Sequence, residues 1–469
     1  MNVTAKVIYC VLMSLGLECL ALLPHAKAVS PPPDGGYPGG NTAEGEKALF
    51  SLATGRLNTA VGWMSLVTNS TGQLNTGIGA GSLSSNTADQ NTAVGAATLL
   101  LNSTGTNNTA NGAFALALNV NGSDNTAVGA LALESNTASG NTAVGKSALV
   151  ANTTGSLNTV IGASAAVSNT IGHDNTGIGL NVLFSNVDGS FNTAIGRAAM
   201  GGNTSGTNNT AVGWSALATN SAGNGNTATG SQALISCTGT NNTAVGTSAL
   251  GVNTTGDSNT GVGNSTLESN TTGSGNVAVG DFAGFNATTG DNNVYIGAVG
   301  GVGGESDSCY IASIFGQTSA NGIPVSINSA NKLGTVTSSK RLKDQIKPMD
   351  KASEAIFALR PVSFRYKKEI DPAGKPQFGL VAEEVENVNP DLVVRDKEGR
   401  AYSVRYDQVN SMLLNEFLKE HRKVQELEAS LAQQERNFSA RLKEEDAKIQ
   451  KVSDSIQLSK ATSQTADNR

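Results

Sequence analysis

Ser338 stands five residues before Lys343, in the stretch Ser338-Ser339-Lys340-Arg341-Leu342-Lys343-Asp344-Gln345-Ile346. A serine hydroxyl is a weak nucleophile until a base takes its proton, and a partly desolvated lysine can be that base. Ser/Lys pairs are among the variants of the serine-nucleophile arrangement. Spacing alone does not single the pair out, but its position does. Before it the chain is a low-charge repeat rich in Gly, Asn and Thr, and after it a charged segment that ends in a long helical pattern. Other chemistry-bearing residues gather less well. His25, His173 and His421 do not cluster with cysteine or acid at ligand spacing, so neither a metal nor another cofactor is expected. Glu383, Glu384 and Glu386 read as a solvated helical face rather than as catalytic acids. The glycines belong to the repeat, and no Gly-Lys-Ser/Thr follows them to make a phosphate loop.

Several blocks around the pair occur in a known order: Ser338-x-x-Arg341-Leu342-Lys343-x-x-Ile346, then Leu359-Arg360-Pro361-Val362-x-Phe364-x-Tyr366. Phe378-Gly379-Leu380-Val381-Ala382-Glu383-Glu384-Val385, Pro390-x-Leu392-Val393 and Tyr406-x-x-Val409 follow. In these blocks residues 295–430 resemble the self-cleaving intramolecular chaperone domain at the C-terminus of phage tail spikes and endosialidases, found also in tail fibre domain proteins. The resemblance implies a trimer-forming chaperone that cuts the chain before the serine. Ser338 would then be the nucleophile, Lys343 its base and Thr337–Ser338 the bond broken. Family members often carry Asp directly after the serine, where this chain has Ser339.

The elements that must position this pair are set by composition. The chain has 469 residues, 55 glycines, only 4% aromatic residues and 14% charged residues, against roughly 25% charged in an ordinary globular domain. So few large side chains cannot fill one conventional core, and a solenoid is expected instead. Net charge is −6 with no basic stripe, which argues against nucleic acid as a partner. Residues 1–28 read as a secretory signal peptide: Lys6, an apolar run from Val7 to Leu17, and the Ala26-Lys27-Ala28 cleavage site. The run is too short to span a membrane, so the mature chain is expected to lack a span and to be secreted or held at the cell surface. Cys10 and Cys19 leave with this segment, and Cys237 and Cys309 do not make a disulfide framework.

A Pro/Gly linker, 29–40, leads into sixteen units spaced 16 or 17 residues apart over 41–297. Their anchor is Asn-Thr-Ala-Val-Gly, as at Asn58, Asn91, Asn125 and Asn242. The β-branched residue before each glycine (Val61, Ile78) and the leucine four after it (Leu66, Leu83) are expected to face inward. That demands a bend at the glycine, followed by a helical turn or a second bent strand. A second asparagine, seven residues after the glycine, suits a stacked hydrogen-bonded ladder, with Cys237 as a buried substitute in one slot. Stacking at strand spacing gives a rod of roughly 75 Å. The pattern resembles the head repeats of trimeric autotransporter adhesins, which implies three chains side by side. Trp63 and Trp214 fill the variable slot after the glycine; they read as covering a neighbouring coil, with glycan contact as the alternative, and no cell-surface ligand is identified.

The expected fold is therefore mainly β. A β-solenoid is followed by a β neck over 298–337, a small α/β chaperone domain over 338–408, a coiled-coil helix over 409–456 and a disordered tail over 457–469. The neck strands are Pro324–Ile327 and Lys332–Val336, and Asp350–Leu359 is read as a helix. The heptad trace is Leu413, Phe417, Val424, Leu427, Leu431, Phe438, then Leu442, Ile449 and Ile456 after a slip of one residue. Two functions fit: an exported homotrimeric fibre whose chaperone cleaves itself off with Ser338 and Lys343, or an adhesive fibre whose trimerisation domain stays attached.

Overall fold

The computed structural model describes residues 37–466 apart from 318 and 329, with side chains through 461. The signal segment and the start of the linker lie outside the described residues. The chain divides into two units, with the boundary between 318 and 319.

The first unit is a β-solenoid of about sixteen turns. Seventeen three-residue strands, β1 (Thr42–Glu44) to β17 (Cys309–Ile311), stack in one parallel sheet, each in register with the next. Cys309–Ile311, read from sequence as neck, is the last rung of this sheet. The typical strand reads Thr-Ala-Val, and its side chains alternate as a pleat requires. The alanine points in: Ala60, Ala93 and Ala127 are fully buried. The β-branched residue therefore points out, contrary to expectation, with Val61 36% and Ile78 40% exposed. Ala60 and Leu66 share the same narrow core, small side chain against large, which leaves no need for a second branched one inside.

The return wall is neither a helical turn nor a strand. Met64 and Leu66 adopt left-handed backbone at φ 55° and 51°. Such a backbone costs roughly 1–2 kcal/mol per residue, which the hydrogen bonds to neighbouring coils offset. Met64 N–H donates to Glu46 O at 2.9 Å on the preceding coil, and Leu66 N–H to Ser82 O at 3.0 Å on the following one. The bend itself needs glycine. Gly145 sits at φ +136°, and a Cβ there would lie 2.3 Å from Gly162 O.

Two asparagine columns close the coils. In the anchor column each backbone N–H donates to the amide oxygen one coil back, as Asn58 to Asn41 at 2.9 Å and Asn75 to Asn58 at 3.0 Å. The same side chains donate to carbonyls ahead, as Asn58 to Gly72 O at 2.8 Å. The second column is the predicted ladder, with Asn102 donating to Asn86 at 2.7 Å and Asn119 to Asn102 at 2.9 Å. At the C-terminal end Tyr295 is fully buried and stacks on Tyr310 at 5.6 Å. Tyr310 donates to Glu305, whose carboxylate pushes the phenol up to about 12.

The second unit is small. A neck hairpin, β18 (Val325–Ile327) and β19 (Leu333–Thr335), pairs antiparallel and buries no side chain. The segment Asp350–Ala358 is 3₁₀ rather than α-helical. Hairpins β20 (Val362–Phe364) with β21 (Gln377–Gly379), and β22 (Val393–Arg395) with β23 (Ala401–Val404), flank helix α1 (Ala382–Val388). Helix α2 runs Tyr406–Ala466, so the expected tail is helical at least to 466; neither Pro nor Gly follows Ile456 to stop it. The buried apolar core is Val385, Leu392, Val393, Val404 and Met412.

Candidate active site

Ser338 and Lys343 flank a single 3₁₀ turn, Lys340–Leu342. Leu342 N–H donates to Ser339 O at 3.0 Å and Lys343 N–H to Lys340 O at 3.2 Å. That turn folds the lysine back on the serine, and Lys343 Nζ lies 3.0 Å from Ser338 Oγ. Ser339 N–H donates to Thr337 Oγ1 at 3.4 Å, so the residues on either side of Ser338 are tied together. Thr337, Ser338 and Lys343 are all solvent-exposed in the single chain. The geometry supplies contact between hydroxyl and amine.

A second polar cluster forms further along the chain, around Ser353. This serine is fully buried, donates to Glu416 and accepts from Asn415 Nδ2 at 2.7 Å. Lys419 Nζ donates to Glu416 at 2.6 Å and to Asp350 O at 2.7 Å. Lys419 first and Ser353 second hold the Glu416 carboxyl below the usual glutamate range. This cluster fastens the 3₁₀ segment Asp350–Ala358 to α2. Sequence reading missed it, because a lone serine in a short helical pattern carries no signal of partners 62 and 63 residues away.

Arg360 and Glu384 are likewise separate in sequence, and here the guanidinium grips the carboxylate through Nε and Nη2. That pair joins the Leu359-Arg360-Pro361 block to the start of α1. Glu383 and Glu386 are on the same helix, and Glu386 pairs with Arg395. Cys237 is buried and Cys309 exposed, both as free thiols. Trp63 and Trp214 are exposed on the solenoid, far apart in the coil order.

Residues 338–394 match the family described as the chaperone of endosialidase. The match begins at Ser338 itself and contains Lys343, Arg360, Glu384 and the start of β22. No curated protein matches the chain. The chain is thus a β-solenoid followed by a small unit in which residues 338–394 match the chaperone-of-endosialidase family, the match starting at the residue that contacts Lys343. Among the described residues no helix is long and apolar enough to cross a membrane.

Proposed function

We propose that this is an exported fibre protein, assembled as a homotrimer by its endosialidase-chaperone region, which then cuts itself free at Thr337–Ser338. The observation that carries the reading is the 3.0 Å contact between Lys343 Nζ and Ser338 Oγ at the first residues of the family match. Lys343 takes the Ser338 hydroxyl proton while Oγ attacks the Thr337 carbonyl carbon. The C–N bond breaks, the proton passes to the Ser338 nitrogen, and an ester joins Thr337 to Ser338 Oγ. Water then hydrolyses that ester, leaving a carboxylate on Thr337 and a free amine on Ser338.

Assembly and cutting are coupled in this reading. The neck and chaperone region leave large apolar side chains bare in one chain: Phe315 is 101% exposed, Phe378 85% and Val336 73%. A lone hairpin is at best marginal in water, so β18–β19 needs covering. Further copies of the chain supply that cover and dry the exposed lysine, so that cleavage follows assembly.

Expression of the full chain and of Ser338→Ala and Lys343→Ala tests this on a denaturing gel. The parent is expected to yield fragment 338–469 and both variants to stay uncut. A Ser338→Ala chain that still releases the fragment would sink the nucleophile assignment. A parent that assembles but stays whole would instead support a fibre with a permanently attached trimerisation domain, the reading that Ser339 favours.

A further inference from the structure

The outer face of the solenoid sheet carries two columns. One is the strand threonines, half-buried or exposed along most of the rod. The other is the last residue of each strand, which precedes the bend glycine in every strand but β17, where Ala312 follows Ile311. Of its seventeen positions fourteen are Val or Ile, and the three exceptions are Glu44, Asn111 and Thr229. Register pairing makes the column continuous: Glu44 lies beside Val61, Asn111 between Val94 and Val128, and Thr229 between Val212 and Val245. Val128, Ile161, Ile195, Val262 and Ile296 are each more than a third exposed. At strand spacing this is an apolar stripe about 75 Å long, beyond what a soluble monomer ordinarily shows. A strip of that length need be only about 10 Å wide to reach the ~800 Å² per partner of a specific interface.

We infer that this stripe is where copies of the chain lie side by side, parallel and level, and that Glu44, Asn111 and Thr229 are marks that fix the level. The inference rests on the self-assembly proposed above and adds how register is set within the solenoid. The occupant must offer an unbroken apolar column of equal length with polar groups at matching heights, and the chain's own column does so. Levels repeat every coil, so a slide by one coil trades one valine for another and costs little by itself. The marks remove that degeneracy. They stand at levels one, five and twelve, so their separations are four, seven and eleven coils, all different. Any nonzero parallel slide brings at most one pair of marks together, while zero slide aligns all three. That alignment sets the Glu44 carboxylates at the exposed first level, where water and salt screen their like charge. Asn111 then meets Asn111 and can exchange amide hydrogen bonds. One coil away it would face the methyls of Val94 or Val128, an unpaired amide in an apolar seam. A single polar residue in an apolar seam sets register in the same way between coiled helices. An antiparallel copy can match Asn111 with Thr229, but it sets Glu44 against Ile296.

Asn111 faces outward, so moving the mark leaves the solenoid interior untouched. Two full-length chains with different tags, both carrying Ser338→Ala, are unfolded, mixed and refolded together. In one arm both are otherwise parental; in the other the second chain is Asn111→Val/Val128→Asn, with identical composition. Mixed oligomers are expected to drop at least about fivefold in the second arm while each chain still assembles with itself. Equal mixing in both arms would overturn the register marks and leave self-assembly standing. If both chains remain monomeric by light scattering, the proposed assembly fails and the marks fail with it. The exposed native Cys309 gives direction: a short bis-maleimide, adding one thiol at each end, should join Cys309 to Cys309 in level parallel copies, and oligomers that it cannot join would overturn the parallel arrangement.

Discussion

Cys237 interrupts a column of amides and leaves a trace of the interruption one coil away. Asn220 Oδ1 is buried without a hydrogen-bond partner, and so is Asn270 Oδ1. In an unbroken column these oxygens would receive the side chains at 237 and 287, which are Cys and Ala. The thiol instead accepts weakly from Asn253 at 3.4 Å and Asn242 at 3.5 Å. Burial pushes the thiol up, so it stays protonated and unreactive. Cys237→Asn restores the missing donor and is expected to stabilise the solenoid by about 1 kcal/mol, the net worth of one buried hydrogen bond. Thermal unfolding of the variant measures it; an unchanged or lowered midpoint would show that the slot is too tight for an amide. The recurrence of asparagine after each glycine was readable from sequence. The orphaned oxygens were not, because each depends on a residue in the next coil.

At the scale of elements, legibility followed periodicity. The coil length, the strand and its glycine were plain, since a repeat states its own period. Which face the valine takes was not, because Ala and Val both suit the inside and only the volume beside Leu66 decides. The Ser338–Lys343 pair was readable as a spacing, but its contact depends on the 3₁₀ turn between the two residues. The joint between Asp350–Ala358 and α2 was invisible, and it carries a prediction. Glu416 is held below the usual glutamate range in the fold by Lys419 and Ser353, with Glu354 also 3.9 Å from the lysine. A lowered carboxyl contributes stability above its unfolded value, near about 4.3, which is lost as pH falls through the folded value. Hydrogen exchange of residues 350–358 should therefore be protected at neutral pH and lose protection below about pH 4. Glu416→Gln should weaken protection at neutral pH and flatten this acid dependence. A variant with parental protection across the range would show that the cluster does not fasten the joint.

The whole molecule combines a front that is locally self-consistent with a back that is incomplete alone. Each coil of the solenoid satisfies its backbone through the coils on either side, and its core of Ala and Leu is closed within the chain. The second unit buries few apolar side chains, while Leu413, Phe417, Leu427 and Phe438 on α2 are about three-fifths exposed. Chains joined first through that unit would begin with their solenoids held close, and loop closure would then favour level pairing over a slipped one. In the proposed assembly, separating stripes that have met would require losing many small contacts together, and the chaperone would no longer be needed. Two outcomes follow from this asymmetry. Fibres that have released fragment 338–469 should keep their oligomeric mass on dilution and storage. The same material, unfolded in guanidinium and returned to buffer, should give polydisperse species, whereas intact Ser338→Ala chain treated identically should recover one mass. Light scattering after each treatment reads both. Equal recovery with and without residues 338–469 would mean that the solenoid aligns itself unaided, and the back of the chain would need another role.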